Sequence, residues 1–376
     1  MESFYRKYRP WKLSEVTGQK NVVHSLSQQA VSGRYAQSYL FSGHRGAGKT
    51  SVARILASLL NCEKRGTDAQ APLTDMSCCQ CRACQLIHEG TCPDVYEIDG
   101  ASNNGVDEAR SVKERSYFTP QEFRYKIFII DECHMLTTQA WNSLLKVVEE
   151  PPDYVKFIFC TTNHAKVLPT IVSRSRQYLF QGLGAPDIAS RVSYVAAQEK
   201  IDLEAAAAAG IARLADGSLR DALNYLEEAG ISSSNKVTVK VLQDLFGQPE
   251  RRLAMELVKL IADGNSSAVL MAADDLIRHG ADVHSVLIEV SEVFRDVMVL
   301  EAGADALLVA SPEEKEILAI LSKKLTRSCL VNIAKLLGRI DREINLNINP
   351  RMILEAALLH CISYVATDAA KHRPQA

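Results

Sequence analysis

Residues 39–50 constrain the fold of this chain more strongly than any other stretch. They read YLFSGHRGAGKT, an apolar run that leads into the pattern G-x-x-x-x-G-K-T. A helical pattern follows, with its apolar face at Val52, Ile55, Leu56 and Leu59. A strand, a glycine-rich loop and a helix in this order form the context that a phosphate-binding loop requires. We therefore predict a nucleotide-phosphate site within an α/β fold.

The residue types of this loop suit the chemistry of a nucleoside triphosphate. Glycines let backbone N–H groups turn toward phosphate oxygens, and the helix N-terminus adds a partial positive charge. Lys49 is expected to reach the β- and γ-phosphates, and the Thr50 hydroxyl to help hold Mg²⁺. The expected nucleotide contacts are Gly43, His44, Arg45, Gly46, Ala47, Gly48, Lys49, Thr50 and Ser51.

Two further apolar runs predict strands that end beside this loop. Residues 126–130 are followed by Asp131 and Glu132, and residues 157–160 are followed by Thr161, Thr162 and Asn163. Parallel sheets place their chemistry at the carboxyl ends of strands. We expect Asp131 to hold Mg²⁺ through water and Glu132 to activate the attacking water. Thr162 is our first choice, and Asn163 our second, for a polar contact to the γ-phosphate.

Composition narrows the class of protein. The chain has 376 residues and 47% hydrophobic content, which favours a globular protein of two or three domains. The formal charge is −2, so DNA contacts would have to come from local basic residues or helix N-termini. The start of the chain is charged and aromatic, and no segment has the apolar length to span a bilayer. We predict a cytoplasmic protein.

Ten cysteines in such a chain indicate metal binding or core thiols rather than disulfides. Cys78, Cys81 and Cys84 have C-x-x-C-x-x-C spacing, and Cys62 could complete a tetrahedral Cys₄ zinc site. Cys92 is the competing fourth ligand, and Cys79 is left over. Four thiolates leave no open position for water, so this zinc would be structural.

Glycine, proline and serine clusters divide the chain. We predict an α/β domain over residues 1–181, a small helical domain over 182–235 and a further helical domain over 236–376, with linkers at 182–186 and 232–235. The glycine at 217 and the serine at 218 precede an apolar stripe, so Ser218 is expected to cap the third helix of the small domain.

The chain resembles the AAA+ ATPases of bacterial clamp loaders. The resemblance rests on the phosphate loop, Asp131-Glu132, Thr162, Ser173-Arg174-Ser175, residues 217–221 and the four-cysteine insert, and it covers nearly the whole sequence. It implies an α/β P-loop AAA+ ATPase domain with a zinc insert, then an all-α lid and an all-α oligomerisation collar. Ser175 stands where this family usually has cysteine.

The resemblance also assigns roles to residues outside the loop. Tyr8, Arg9 and Pro10 resemble the segment that lies over the adenine base. Arg174 resembles the arginine finger that reaches the ATP of a neighbouring subunit, with Arg176 as a rival, and Arg220 resembles the sensor 2 arginine of the lid.

The cofactors implied are ATP, Mg²⁺ and Zn²⁺, and the implied location is the cytoplasm in association with the nucleoid. The implied partners are delta and delta-prime subunits in a pentameric ring, a sliding clamp, primer-template DNA and the polymerase III core.

Two other functions fit part of the pattern. The residues Asp131-Glu132-Cys133-His134 also match the D-E-x-H box of helicases, but a helicase needs a second nucleotide-fold domain. A nucleotide-binding scaffold subunit without turnover is the other alternative. Such subunits lose the loop lysine or the acids, and all of these are present here.

Overall fold

The computed structural model describes residues 2–64, 77–246, 251–278, 281–308, 310, 312–344 and 349–371. Residues 65–76, within the predicted zinc insert, lie outside the described residues. The chain divides into two compact units, Met1–Thr238 and Val239–Ala376. This division is coarser than the three predicted domains, whose boundaries remain predictions.

The first unit is built on a parallel sheet. Its strands, within the described residues, are β1 (Ser38–Gly43), β2 (Val95–Asp99), β3 (Lys126–Asp131), β4 (Val155–Thr161) and β5 (Arg176–Phe180), in the spatial order β2-β3-β4-β1-β5. The three inner strands are almost wholly buried, because helices cover both faces of the sheet. Their continuous apolar runs follow from that burial.

The register of the sheet brings the predicted chemistry to one edge. Ser42 of β1 lies opposite Thr161 of β4, and Gly43 lies opposite Phe180 of β5. Asp131 ends β3 next to β4. The phosphate loop, the two acids and Thr162 therefore follow neighbouring strand ends.

The helices of this unit lie before, between and after the strands. They are α1 (Phe4–Lys7), α2 (Lys20–Ser32), α3 (Lys49–Asn61), α4 (Arg82–Glu89), α5 (Val106–Ser116), α6 (Thr138–Glu149), α7 (Pro169–Arg174), α8 (Ala185–Gln198), α9 (Ala205–Leu214) and α10 (Leu219–Ser232). One core, around α2 and α3, covers one face of the sheet, and a second, around α6, covers the other.

Helices α8, α9 and α10 lie within residues 182–235, the predicted lid. The Ser218 side chain accepts a hydrogen bond from the Asp221 N–H at 3.3 Å, so Ser218 caps α10 as predicted. The second predicted linker, residues 232–235, begins where α10 ends and includes a turn at residues 233–235. Helix α10 extends to Ser232, and β7 (Lys236–Val237) pairs with β6 (Asp202–Leu203), which ties the end of the lid back to its start. Strands of two residues are too short to give an alternating pattern in the sequence, so this pairing could not be predicted.

The described part of the second unit is helical. Its helices are α11 (Val239–Phe246), α12 (Arg251–Ala262), α13 (Ser266–Arg278), α14 (Val283–Glu301), α15 (Pro312–Lys324), α16 (Arg327–Ile344) and α17 (Pro350–Lys371). They enclose an apolar core centred on α12, α14 and α16. The described residues of this unit contain no strand, so they do not supply the second nucleotide-fold domain that a helicase needs. None of the described helices has both the length and the hydropathy needed to cross a membrane.

Candidate functional site

The phosphate loop is shaped by two close backbone approaches. Gly43 has φ of +136°, and a Cβ there would lie 1.9 Å from the Phe180 carbonyl oxygen. Gly46 has φ of +70°, and a Cβ there would lie 1.9 Å from the Ser218 Oγ at the start of the lid helix α10. Only glycine fits both positions. The loop is thereby held between β5 and the lid.

Lys49 begins α3 and lies within the curve of the loop. Its Nζ donates hydrogen bonds to the carbonyl oxygens of Gly43 at 2.9 Å and His44 at 2.8 Å. Burial lowers the pKa of Lys49, while the nearby carboxyl groups of Glu132 and Asp131 oppose that shift. The N–H groups in the first turn of a helix have no intrahelical partner. The loop end of α3 therefore offers both donors and a cation to an anion.

Asp131 and Thr50 meet in the cleft beside this lysine. The Thr50 Oγ1 donates to Asp131 Oδ2 at 2.6 Å, and the Glu132 N–H donates to Asp131 Oδ1 at 2.9 Å. Burial raises the pKa of Asp131, and these hydrogen bonds oppose the shift. A hydroxyl and a carboxylate in contact are the ligands that Mg²⁺ takes beside a bound triphosphate. The two side chains fit that ion.

Glu132 is held by the strand end on which Thr162 lies. Its Oε2 accepts from the Thr162 N–H at 3.2 Å and the Thr162 Oγ1 at 3.0 Å. The His134 Nδ1 lies 3.3 Å from the same oxygen and 3.0 Å from Thr161 Oγ1. Glu132 itself has φ of 44°, a left-handed conformation that is uncommon for glutamate. Thr162 thus contacts Glu132 directly, whereas the Asn163 N–H donates to Thr161 Oγ1.

The N-terminal segment forms another wall of the same cleft. Tyr8, Arg9 and Pro10 line it together with the phosphate loop, Asp131 and Glu132. The Tyr8 hydroxyl donates to Glu199, and burial with this contact raises the pKa of Tyr8 to about 12. Burial lowers the pKa of Arg9.

The lid forms a further wall of the cleft. Arg220, one residue into α10, lines it, and its guanidinium lies 4.6 Å from the ring centroid of Tyr5. The sequence did not single out Tyr5 or Arg191, which also line the cleft. Arg191 donates to the Tyr8 carbonyl at 3.1 Å. No motif marks either residue, and only a charge on the mostly apolar helix α8 could have pointed to Arg191.

Arg174 lies away from these residues, at the exposed end of α7. Its Nη2 is 3.2 Å from Glu149 Oε1, and both side chains are more than a third exposed. It is absent from the lining of the cleft, as is the exposed Arg176 that begins β5. Ser175 between them is buried. Neither arginine is placed to act on the nucleotide of its own chain.

Four cysteines come together at the far end of α3. The sulfur atoms of Cys62, Cys78, Cys81 and Cys84 all lie within 4.8 Å of one another. Backbone N–H groups donate to two of these sulfurs, from Cys78 to Cys62 at 3.3 Å and from Cys81 to Cys78 at 3.2 Å. This donor set fits a structural zinc ion. Cys92 packs instead in the apolar core with Ile87, and burial raises the pKa of its thiol.

Family models match successive parts of the chain. Residues 18–184 match "DNA polymerase III, delta subunit", residues 187–235 match "DNA polymerase III clamp loader subunit, ATPase lid domain", and residues 237–372 match "DNA polymerase III subunits gamma and tau domain III". The fold-class prediction of a parallel α/β ATPase core, a lid and a helical domain is confirmed, apart from the zinc insert.

Curated relatives are similar over most of the chain. Bacillus subtilis DNA polymerase III subunit tau is 33% identical over 95% of this chain and 62% of its own length. The gamma/tau subunit of Mycobacterium tuberculosis is 36% identical over 98% of this chain and 64% of its own length. The gamma subunit of Buchnera aphidicola from Schizaphis graminum is 34% identical, with 79% of this chain and 80% of the relative covered. The chain thus spans less than two thirds of the first two relatives.

Among solved structures, the RuvB Holliday junction branch migration motor of Thermotoga maritima aligns with 68% of this chain and 79% of its own, at 18% identity and a TM-score of 0.47. That likeness is too low to assign a function. The three consecutive family matches and the Buchnera relative, of which four fifths is covered, decide the family. The chain belongs to the gamma/tau family of DNA polymerase III clamp-loader subunits.

Proposed function

We propose that this chain is an ATP-hydrolysing subunit of a bacterial clamp loader, which uses ATP to load a sliding clamp onto primer-template DNA for DNA polymerase III. The observation that carries the proposal is one cleft that Lys49, Thr50, Asp131 and Glu132 line together with Arg220 of the lid. A scaffold subunit without turnover has no need of this complete set.

Within one subunit, the loop and the two acids would have separate functions in binding and hydrolysis. Lys49 and the N–H groups at the start of α3 would bind the β- and γ-phosphates. Thr50 and Asp131 would hold Mg²⁺, which neutralises charge on the phosphate oxygens. Glu132 would accept a proton from the attacking water, after its carboxylate leaves the Thr162 donors that hold it here.

Two arginines would add charge from different places. Arg220 would contact the γ-phosphate from the lid of the same subunit, so that lid position and phosphate state depend on each other. Arg174, exposed at the end of α7, would reach the nucleotide of a neighbouring subunit. Such a cation stabilises charge that develops in the transition state. Hydrolysis would therefore require assembly.

The proposed partners follow from the family. They are delta and delta-prime subunits in a pentameric ring, the sliding clamp, primer-template DNA and the polymerase III core, in the cytoplasm and associated with the nucleoid. The four cysteines would hold one Zn²⁺ that joins the end of α3 to the start of α4, where Cys81, Ala83 and Cys84 form a small apolar cluster.

The direct test compares the unmodified chain with Lys49→Ala and Glu132→Gln. We expect Lys49→Ala to lose nucleotide binding, because the phosphates lose their cation. Glu132→Gln should keep the dissociation constant within about twofold yet hydrolyse roughly a hundredfold or more slowly, because only the proton acceptor is lost. Titration calorimetry and phosphate release measure the two effects, with Glu150→Gln, an exposed acid outside the cleft, as the control.

The assay is then repeated with candidate delta, delta-prime and clamp proteins, with and without primed DNA. Stimulation by DNA supports the clamp-loader function. Nucleotide binding by the unmodified chain without hydrolysis in any mixture would support the scaffold alternative instead.

A further inference from the structure

The cysteine module, defined here as Cys62 and the described residues 77–90, touches the N-terminal segment that lines the nucleotide cleft. Helix α4 begins next to Cys81 and carries Cys84 on its first turns. His88 lies one helical turn after Cys84, so both side chains face the same way. The module therefore presents a histidine ring at a defined distance from its cysteine cluster.

That ring is stacked on Trp11. The two ring centroids are 3.4 Å apart, and the planes are inclined by 27°. Trp11 directly follows Tyr8, Arg9 and Pro10, which line the cleft. A displacement of α4 would therefore be felt one residue away from the wall of the nucleotide site.

Two further contacts hold the same junction. Cys79 lies between Cys78 and Cys81 but stays outside the four-sulfur cluster, and it directs its Sγ at the Trp11 carbonyl oxygen, 3.6 Å away. Arg54 of α3 donates from Nη1 to the His88 carbonyl at 3.3 Å and pairs through Nε with Glu97 at 2.7 Å. The backbone of each stacked residue is thus held by a further contact, Trp11 by Cys79 and His88 by Arg54.

The surroundings show that the junction is continuous with the cleft wall. A small cavity is lined by Arg9 and Pro10 of the segment, by Cys79, Cys84 and His88 of the module, and by α3. Helix α3 itself begins with Lys49 and ends beside Cys62. The segment, the module and the loop helix therefore form one packed group.

We propose that the cysteine module positions the Tyr8–Pro10 wall through the Trp11–His88 stack, and so sets the affinity of the cleft for the base end of a nucleotide. Trp11 and His88 are positioning residues, since neither lines the cleft. The proposal rests on the proposed nucleotide-binding function. It gives the module a role beyond its own stability.

A double-mutant cycle on the full chain tests this coupling. His88→Ala and Trp11→Ala should each raise the ATP dissociation constant by about three- to tenfold, the effect of losing one aromatic pair. The double variant should be no weaker than the worse single variant, because both remove the same contact. Gln85→Ala, an exposed position on α4, is the matched control and should bind like the unmodified chain.

A second readout separates positioning from general damage to the site. Inorganic tripolyphosphate would contact the loop and lacks a base. Its inhibition constant for ATP binding should therefore stay, in both single variants, within about twofold of the value for the unmodified chain. Metal content is measured on each variant. If the His88→Ala variant loses the metal, the test rests on the Trp11→Ala variant alone, because that substitution changes no residue of the module.

The outcomes distinguish the two proposals. If the unmodified chain does not bind ATP, the proposed function fails. If it binds ATP but the variants bind ATP within twofold of it, or the two effects add in full, the positioning role is overturned. Equal weakening of ATP and tripolyphosphate would also overturn it, because the damage would then lie in the loop.

Discussion

At the scale of single residues, Arg174 is the residue that we propose to act on the nucleotide of a neighbouring subunit. Its side chain is 44% exposed, pairs with Glu149 at 3.2 Å on the surface and does not line the cleft of its own chain. An exposed ion pair of this kind contributes little to stability. The arginine is therefore available to another molecule at small cost to the fold.

We predict that Arg174→Ala will bind ATP with an unchanged dissociation constant but lose about a thousandfold of its DNA-stimulated hydrolysis in the assembled ring, as expected for an arginine finger. The chain offers Arg176→Ala as a matched control, two residues away and also exposed. Phosphate release by the reconstituted ring is the measurement. Full activity of the Arg174 variant together with loss in the Arg176 variant would transfer the role to Arg176.

At the scale of elements, Cys62 belongs to the four-sulfur cluster, whereas Cys92 belongs to the apolar core. Cys62→Ser should release most of the bound zinc, because its sulfur belongs to the group of four. Cys92→Ser should retain it, since that thiol packs in the apolar core. Atomic absorption on freshly purified protein measures both. Retention by the first variant and loss by the second would make Cys92 the fourth ligand.

The elements that could be predicted from the sequence are those with local patterns. The loop motif with its flanks predicted β1 and α3, and two apolar runs predicted β3 and β4 with their polar ends. The Ser218 cap also follows from neighbouring residues. Spacing alone left Cys62 and Cys92 open as ligands, because the choice depends on where α3 ends in space.

The contacts that escaped prediction join residues far apart in the sequence. Trp11 on His88, Arg191 on Tyr8 and β6 on β7 are each set by tertiary packing. No period or motif connects such residues, so they could be found only after the sheet and its helices were in place. The residues that shape the cleft are therefore less predictable than those that would act on the phosphates.

At the scale of the whole molecule, the second unit has an ionic group in its core. Arg251, at the start of α12, pairs with Asp296 and lies 3.7 Å from Glu289 and 3.2 Å from Glu314. The Asp296 and Glu289 side chains are only 5% exposed. Buried carboxylates depend strongly on such a partner, because desolvation of an unpaired charge is costly.

We predict that Arg251→Met will lower the free energy of unfolding of this unit by about 3 kcal/mol, the cost of removing one partner from a buried ion pair. Urea unfolding of the full chain, followed by circular dichroism, should show a lower midpoint for the helical unit. Arg327→Met removes an arginine that pairs with Glu301 at the surface and should shift the midpoint far less. Equal midpoints for both variants would mean that the buried group contributes no more than a surface pair.

The contact between the phosphate loop and Phe180 has a consequence for synthesis of the chain. The His44 N–H donates to the Phe180 carbonyl at 3.1 Å, and the same carbonyl leaves no room for a side chain at Gly43. The loop is translated long before that partner, and at roughly 5–20 residues per second the delay is on the order of ten seconds. During that time a nascent chain has the loop sequence without the strand that shapes it. We therefore expect nucleotide to stabilise the nascent chain only once β5 has emerged.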